Sequence, residues 1–166
     1  SEGRTITVAL DGKGDFRTIQ EAIASIPDSN QPEPVIIHIK PGRYVGPIML
    51  PKEKSKVTFE GEGADRTFLT YTLNVYEVEE VQPMDKIRTP MPKNYRGTGV
   101  IILSDDFCAR GITFENTSGD HGQAMALRLN GDRAVIEDCR LLGWQDTLLV
   151  SNGRHYFRNC YIEGRV

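Results

Sequence analysis

The sequence predicts an all-β solenoid, a parallel β-helix with one short helix at its front, and three observations lead to that fold. The segments Glu137-Asp138-Cys139-Arg140-Leu141-Leu142-Gly143 and Arg158-Asn159-Cys160-Tyr161-Ile162-Glu163-Gly164 correspond position for position, Cys and Gly included, at an offset of 21 residues from Cys139 to Cys160. A weaker copy, Ala109-Arg110-Gly111-Ile112-Thr113-Phe114-Glu115, precedes the first by 28 residues, counted from Gly111 to Cys139, which fits a longer loop in that turn. Around these copies run short β-rich segments closed by Gly, Pro, Asn or Asp, and only one stretch has a helical period. Self-similarity near twenty residues, in units of short strands and turns, is what stacked coils require, with strands of successive coils about 4.8 Å apart. A leucine-rich repeat is the competing solenoid, and its framework of spaced leucines is absent.

Taken in order, the helix comes first. Ile19, Ile23 and Ile26 share one face of residues 15–26; Thr18 with Glu21 offers a capping box, Asp15 is a rival N-cap, and Pro27 ends the run. On a solenoid such a helix caps the open N-terminal end and covers strand edges that would otherwise pair with another chain. The strands expected after it are Val35–Ile39, Lys56–Phe59, Val100–Leu103, Gly111–Phe114, Ala134–Ile136 and His155–Phe157. Residues 71–97 break the rhythm with Pro83, Pro90, Pro92 and mixed charges, and read either as the rim of a substrate groove or as a solvated excursion.

Composition narrows the function. At 166 residues, 39% hydrophobic, the chain has the size and apolar content of one domain, taken as residues 1–166. No apolar run approaches a membrane span, and the first residues lack the apolar stretch of a signal peptide, as in a mature secreted form. A net charge of −3 with scattered Lys and Arg provides no basic field for nucleic acid. Cys108, Cys139 and Cys160 have no metal or redox spacing and read as buried structural thiols, with a Cys139–Cys160 disulfide as the alternative in an oxidising compartment. His38, His121 and His155 show no metal spacing either, and no cofactor is expected. Asn116-Thr117-Ser118 is a glycosylation sequon or simply closes a turn.

In a solenoid, groups one coil apart in sequence are neighbours in space, so reactive residues should recur at the coil period. Gln123 and Gln145 are 22 residues apart, close to the repeat of 21, and Asp146 follows directly. Those residue types suit ester hydrolysis. Two primary amides can donate N–H groups to the oxyanion of a tetrahedral intermediate, and a carboxylic acid can protonate the departing alkoxide. A stack of amides inside the solenoid is the bland alternative for Gln123. Trp144 suits stacking on a sugar ring or packing in the interior.

Gln123-Ala124-Met125-Ala126-Leu127 followed by Gly143-Trp144-Gln145-Asp146-Thr147-Leu148 resembles the paired signature of the pectin methylesterases. Asp15–Ile23, Pro41-Gly42-Arg43-Tyr44, Ile112–Thr117 and Cys160–Gly164 are similar to further family segments, so the resemblance spans nearly the whole chain. It implies a right-handed parallel β-helix and removal of methyl groups from methyl-esterified polygalacturonate, with methanol released. Gln123 and Gln145 would form the oxyanion site. Asp146 would protonate methanol and then activate the hydrolytic water, while Trp144 and Thr98 would contact substrate. Pectin is the implied partner and the extracellular space, cell wall or periplasm the implied location.

The family's nucleophile is an aspartate directly after a Glu-Gly-x-Val segment, and here Glu163-Gly164-Arg165-Val166 ends the sequence. The expectation is therefore a front portion without its nucleophile, inert by itself, with an exposed last coil through which copies could associate. Two other classes remain open: a carbohydrate-binding module that turns nothing over, and a pectate lyase, for which Asp105 and Asp106 are the adjacent acidic pair that could hold Ca²⁺.

Overall fold

The computed structural model describes residues 3–72, 97–118, 124–144, 147–151 and 153–165. Strand β1 (Arg4–Val8) and helix α1 (Ile19–Ala24) come first. They are followed by β2 (Val35–Ile39), β3 (Gly42–Val45), β4 (Ile48–Leu50), β5 (Val57–Glu60), β6 (Thr67–Tyr71), β7 (Thr98–Ile102), β8 (Cys108–Arg110) and β9 (Thr113–Asn116). The last are β10 (Met125–Leu129), β11 (Ala134–Glu137), β12 (Arg140–Trp144), β13 (Leu148–Val150), β14 (His155–Arg158) and β15 (Tyr161–Arg165). The first sheet runs β1-β2-β5-β8-β11-β14, the second β3-β6-β9-β12-β15 and the third β4-β7-β10-β13. Every ladder among these strands is parallel, so each coil contributes one strand per sheet and successive coils stack: a parallel β-helix.

The register turns sequence spacing into distance. Ala134 pairs with His155, Leu127 with Leu148 and Arg140 with Tyr161, each 21 residues apart, as the cysteine repeat indicates. One coil earlier Thr113 pairs with Arg140, a spacing of 27 rather than 28, so the weaker sequence copy is one residue out of register. The true repeat there is a backbone conformation. At spacings of 27 and 21, Gly111, Asp138 and Asn159 stand level at the corner between the first and second sheets, with φ of 68°, 52° and 51°. Gly, Asp and Asn tolerate that left-handed region best, and Asn159 Nδ2 donates to Asp138 Oδ1 at 2.7 Å, joining successive corners.

Strand alternation sends one set of side chains inward. Ile6, Ile37, Phe59, Ala109 and Ile136 form a column through the first sheet at no more than 2% exposure. Tyr44, Leu69, Phe114 and Leu141 form the matching column in the second sheet, and Ile48, Val100 and Leu127 in the third. Phe107 meets Phe59 edge-on with centroids 5.0 Å apart. In the last described coil the apolar Leu149, Val150, Tyr156, Tyr161 and Ile162 are exposed.

Helix α1 packs on β1, β2 and β4, with Ile19, Ala22 and Ile23 buried. It is shorter than the sequence predicts. Asp15 and Phe16 are held by β1 instead: both backbone N–H groups donate to Thr7 O, and Asp15 Oδ2 accepts from Thr7 N at 2.8 Å. That leaves Thr18 as the N-cap, its Oγ1 accepting from Glu21 N at 3.1 Å and donating to Glu21 Oε1 at 2.8 Å, so one half of the capping box forms and the Glu21 carboxylate takes the Thr18 hydroxyl. Lys54 Nζ donates to Ile23 O and Ile26 O at the other end. The helix also closes the edge of the third sheet: the Gln20 amide donates to Met49 O at 3.2 Å and accepts from Met49 N at 3.0 Å, standing in for the strand that β4 lacks on that side.

Outward on the first sheet, His38, Glu60, Arg110, Glu137 and Arg158 stand in one register column. Glu60 accepts from Arg110 Nη2 at 2.7 Å and Nε at 3.1 Å, and contacts His38 Nδ1 at 2.9 Å. The hydrogen bonds from Arg110, then from His38, hold the Glu60 carboxyl below the usual carboxylate range. The three cysteines are free thiols; only Cys139 is fully buried, and burial pushes its thiol up to about 12, while Cys108 and Cys160 are half-buried. Among the described residues, no helix is long and apolar enough to cross a membrane.

Two outcomes follow. Gln20→Leu removes both bonds to β4 and leaves the Met49 N–H unsatisfied, which should destabilise the protein by about 1–3 kcal/mol; an unchanged urea midpoint would show the edge needs no such cover. Because the Glu60 carboxyl is lowered in the folded state, its contribution is present above the unfolded value and lost as pH falls through the folded one. Glu60→Gln should therefore cost up to about 1 kcal/mol near neutrality, the scale of a partly exposed pair, with the difference from wild type shrinking in acid. A pH-independent difference in unfolding titrations would contradict this.

Candidate active site

The corner between the second and third sheets, where β9 passes to β10 and β12 to β13, carries both signature segments. Here the parallel ladder gives way to one antiparallel bridge between Ala124 and Trp144. Ala124 N donates to Trp144 O at 3.4 Å and Trp144 N to Ala124 O at 3.3 Å. Gln123, Gln145 and Asp146 adjoin this bridge in sequence and lie outside the described residues, as does His121.

Glycine and threonine make the close approach possible. A Cβ on Gly143 would lie 2.6 Å from Ala124 O and 3.0 Å from Thr147 Oγ1, so the two coils meet only because no side chain intervenes. Thr147, 4% exposed, accepts from Ala126 N at 2.9 Å through its carbonyl, and its hydroxyl donates to Glu163 O at 2.8 Å. Residues 145 and 146 are thus flanked by Trp144, bonded to Ala124, and by Thr147, bonded to both neighbouring coils. The sequence reading quoted Gly143 and Thr147 within the motif and gave them no role; a lone Gly in a β-rich run is the signal that could have marked the close approach.

Trp144 ends β12 half-buried. Thr98 opens β7 opposite Met125, 1% exposed, and its hydroxyl has no hydrogen-bond partner among the described residues. Asn116 ends β9 at 3% exposure and accepts from Ser118 N through Oδ1 at 3.1 Å. The turn-closing reading of that residue therefore holds. The sequon reading does not, because the amide nitrogen is buried and engaged with two backbone carbonyls.

Asp105 and Asp106 occupy a different corner, between the third and first sheets. Asp106 binds Arg133 through both oxygens at 2.7 and 3.0 Å, and Asp105 accepts from Asp132 N at 2.8 Å. The hydrogen bond from Arg133 holds the Asp106 carboxyl below its usual range. Asp106 is thus engaged by Arg133 and Asp105 by a backbone N–H, so the pair lends the lyase reading no support. Among the described residues, no three His, Cys, Asp or Glu side chains gather around a metal-sized space.

The corner's geometry predicts that Gly143→Ala drives a methyl group into the Ala124 carbonyl and costs about 1–3 kcal/mol. A thermal midpoint equal to wild type would mean that the bridge yields freely.

Comparison with known proteins agrees with this architecture. The pectinesterase family model matches residues 5–166. Pectinesterase 5 of Arabidopsis thaliana is 42% identical over 163 residues, which are 98% of this chain and 25% of that protein. The structure of pectin methylesterase from carrot superposes with a TM-score of 0.80 at 34% identity, covering 99% of this chain and 47% of that one. A pectin methylesterase solved in complex with a hexasaccharide superposes at 0.75 and 28% identity, over 99% of this chain and 50% of that one. The chain thus spans from a quarter to a half of the length of these relatives. On the family match and the shared parallel β-helix, it belongs to the pectinesterase family.

Proposed function

We propose that the protein is a carboxylic-ester hydrolase that removes methyl groups from pectin and releases methanol. One observation carries the reading: two signature segments one coil apart are joined by the Ala124–Trp144 bridge, with Gln123 preceding one partner and Gln145 following the other. The reading takes Gln123 and Gln145, on either side of this bridge in sequence, to face one another, the arrangement two amides need to share one oxyanion.

On this reading Gln123 and Gln145 donate N–H groups to the negative oxygen of the tetrahedral intermediate. Asp146 gives its proton to the departing methoxide and then removes one from the water that cleaves the acyl-enzyme. The acyl group is carried by a second carboxylate, which in the family pattern follows a Glu-Gly-x-Val segment of the kind seen at residues 163–166. Trp144, half-buried at the end of β12, is assigned to stack on a sugar ring. Thr98 is buried together with its hydroxyl and offers no surface for the substrate contact that the resemblance implies. The hexasaccharide-bound relative supports a homogalacturonan partner, and family membership supports a secreted protein acting on plant cell walls.

The test is methanol release from esterified pectin by the full-length gene product that contains this chain. Asp146→Asn should abolish turnover, and Gln123→Ala or Gln145→Ala should each lower kcat about a hundred- to a thousandfold. Wild-type rates in the Asp146→Asn variant, or no release by the wild type, would overturn the assignment. Pectin binding that persists in a wild type without turnover would favour the carbohydrate-binding module.

A further inference from the structure

Four strand ends converge on residues 116 and 117. Asn116 Nδ2 donates to Gly97 O at 2.7 Å, where β7 begins, and to Met125 O at 3.0 Å, where β10 begins. Its Oδ1 accepts from Ser118 N. Next to it, Thr117 N donates to Tyr71 O at 2.8 Å, at the end of β6. Both amide protons of Asn116 and one lone pair are therefore in use inside a site 3% exposed.

We propose that Asn116 is a positioning residue of this corner. It closes the connection between β9 and β10 by holding the far end, Met125, and fixes that end to Gly97 of the preceding coil. Met125 stands two residues after Gln123 in sequence, so the clamp fixes the backbone to which that residue is joined and, through Gly97, the start of β7 at Thr98. Only a short amide provides two N–H donors on one planar group at this reach. An aspartate of the same shape, when ionised, presents oxygens to two carbonyl oxygens and reverses the interaction.

The catalytic consequence rests on the esterase reading; the clamp itself does not. In the full-length gene product, Asn116→Asp should lower kcat for methanol release by about ten- to a hundredfold, the scale of a misplaced group, with KM changed much less. The deficit relative to wild type should narrow as pH falls, because a protonated aspartate regains one donor, whereas Asn116→Leu should show a deficit with no recovery in acid. If Asn116→Asp does not fold, Asn116→Ser, which retains one donor, should give an intermediate deficit. Full kcat in a folded variant, or identical pH behaviour of the aspartate and leucine variants, would overturn the proposal. If the wild type releases no methanol the esterase reading fails, and the clamp is then read by hydrogen exchange. Asn116→Asp should speed exchange at Ala124 and Ala126 while β2 is unchanged, and unaltered exchange at Ala124 and Ala126 would overturn it.

Discussion

Hydrogen bonds between strands one coil apart, all running parallel, are the constraint on which the rest of the molecule depends. They place each residue beside its counterpart in the next coil, 21 to 52 positions later, so the partners in a column must suit one another: Ile37 beside Phe59 in the interior, Glu60 beside Arg110 on the outer face, Asp138 beside Asn159 at a corner. Each column must be satisfied along its length. The interior achieves this with apolar side chains, the first sheet's outer face with alternating charge, and the corner with residues that accept a left-handed backbone. Where the stack starts, Gln20 supplies an amide in place of a missing strand.

The candidate site stands where this rule is interrupted. At the corner between the second and third sheets, the parallel ladder is replaced by a short antiparallel exchange between Ala124 and Trp144. Buried polar side chains then do what a ladder does elsewhere: Asn116 and Thr147 take up backbone groups the regular pattern leaves unpaired. A buried polar group is tolerated only when its hydrogen bonds are made, so these residues hold their loops in one arrangement. Gly143 contributes by having no side chain in the way. These groups thereby fix the backbone to which Gln123, Gln145 and Asp146 are joined in sequence.

The strands that the sequence revealed are those whose periodicity is local. Val35–Ile39 and Ala134–Ile136 alternate or cluster apolar residues strongly enough to stand out, and the Cys139–Cys160 repeat gives the coil length directly. Strands such as Ile48–Leu50, Leu148–Val150 and Gly42–Val45 did not stand out, since three or four residues are too few to show a period; partners a coil away make them strands. The repeat at 28 instead of 27 has a similar origin, because matching side chains aligned Gly111 with Cys139, whereas the backbone aligns it with Asp138. At the site, the reading of Gln123, Gln145 and Asp146 rests on their types and spacing, since they lie outside the described residues. The burial of Asn116 was not legible, since a polar residue in an Asn-Thr-Ser triplet reads as surface until its partners, Gly97 and Met125, are in place.

The claim on which the functional reading turns is that the two glutamine amides face one another across this corner. Side-chain NOEs in the isotope-labelled protein test it most directly, with the backbone contact between Ala124 and Trp144 as the internal reference. Cross-peaks joining the amide protons of Gln123 and Gln145, together with the reference contact, are the predicted result. The reference contact with the two amides directed to separate faces, each close only to its own strand, would contradict it.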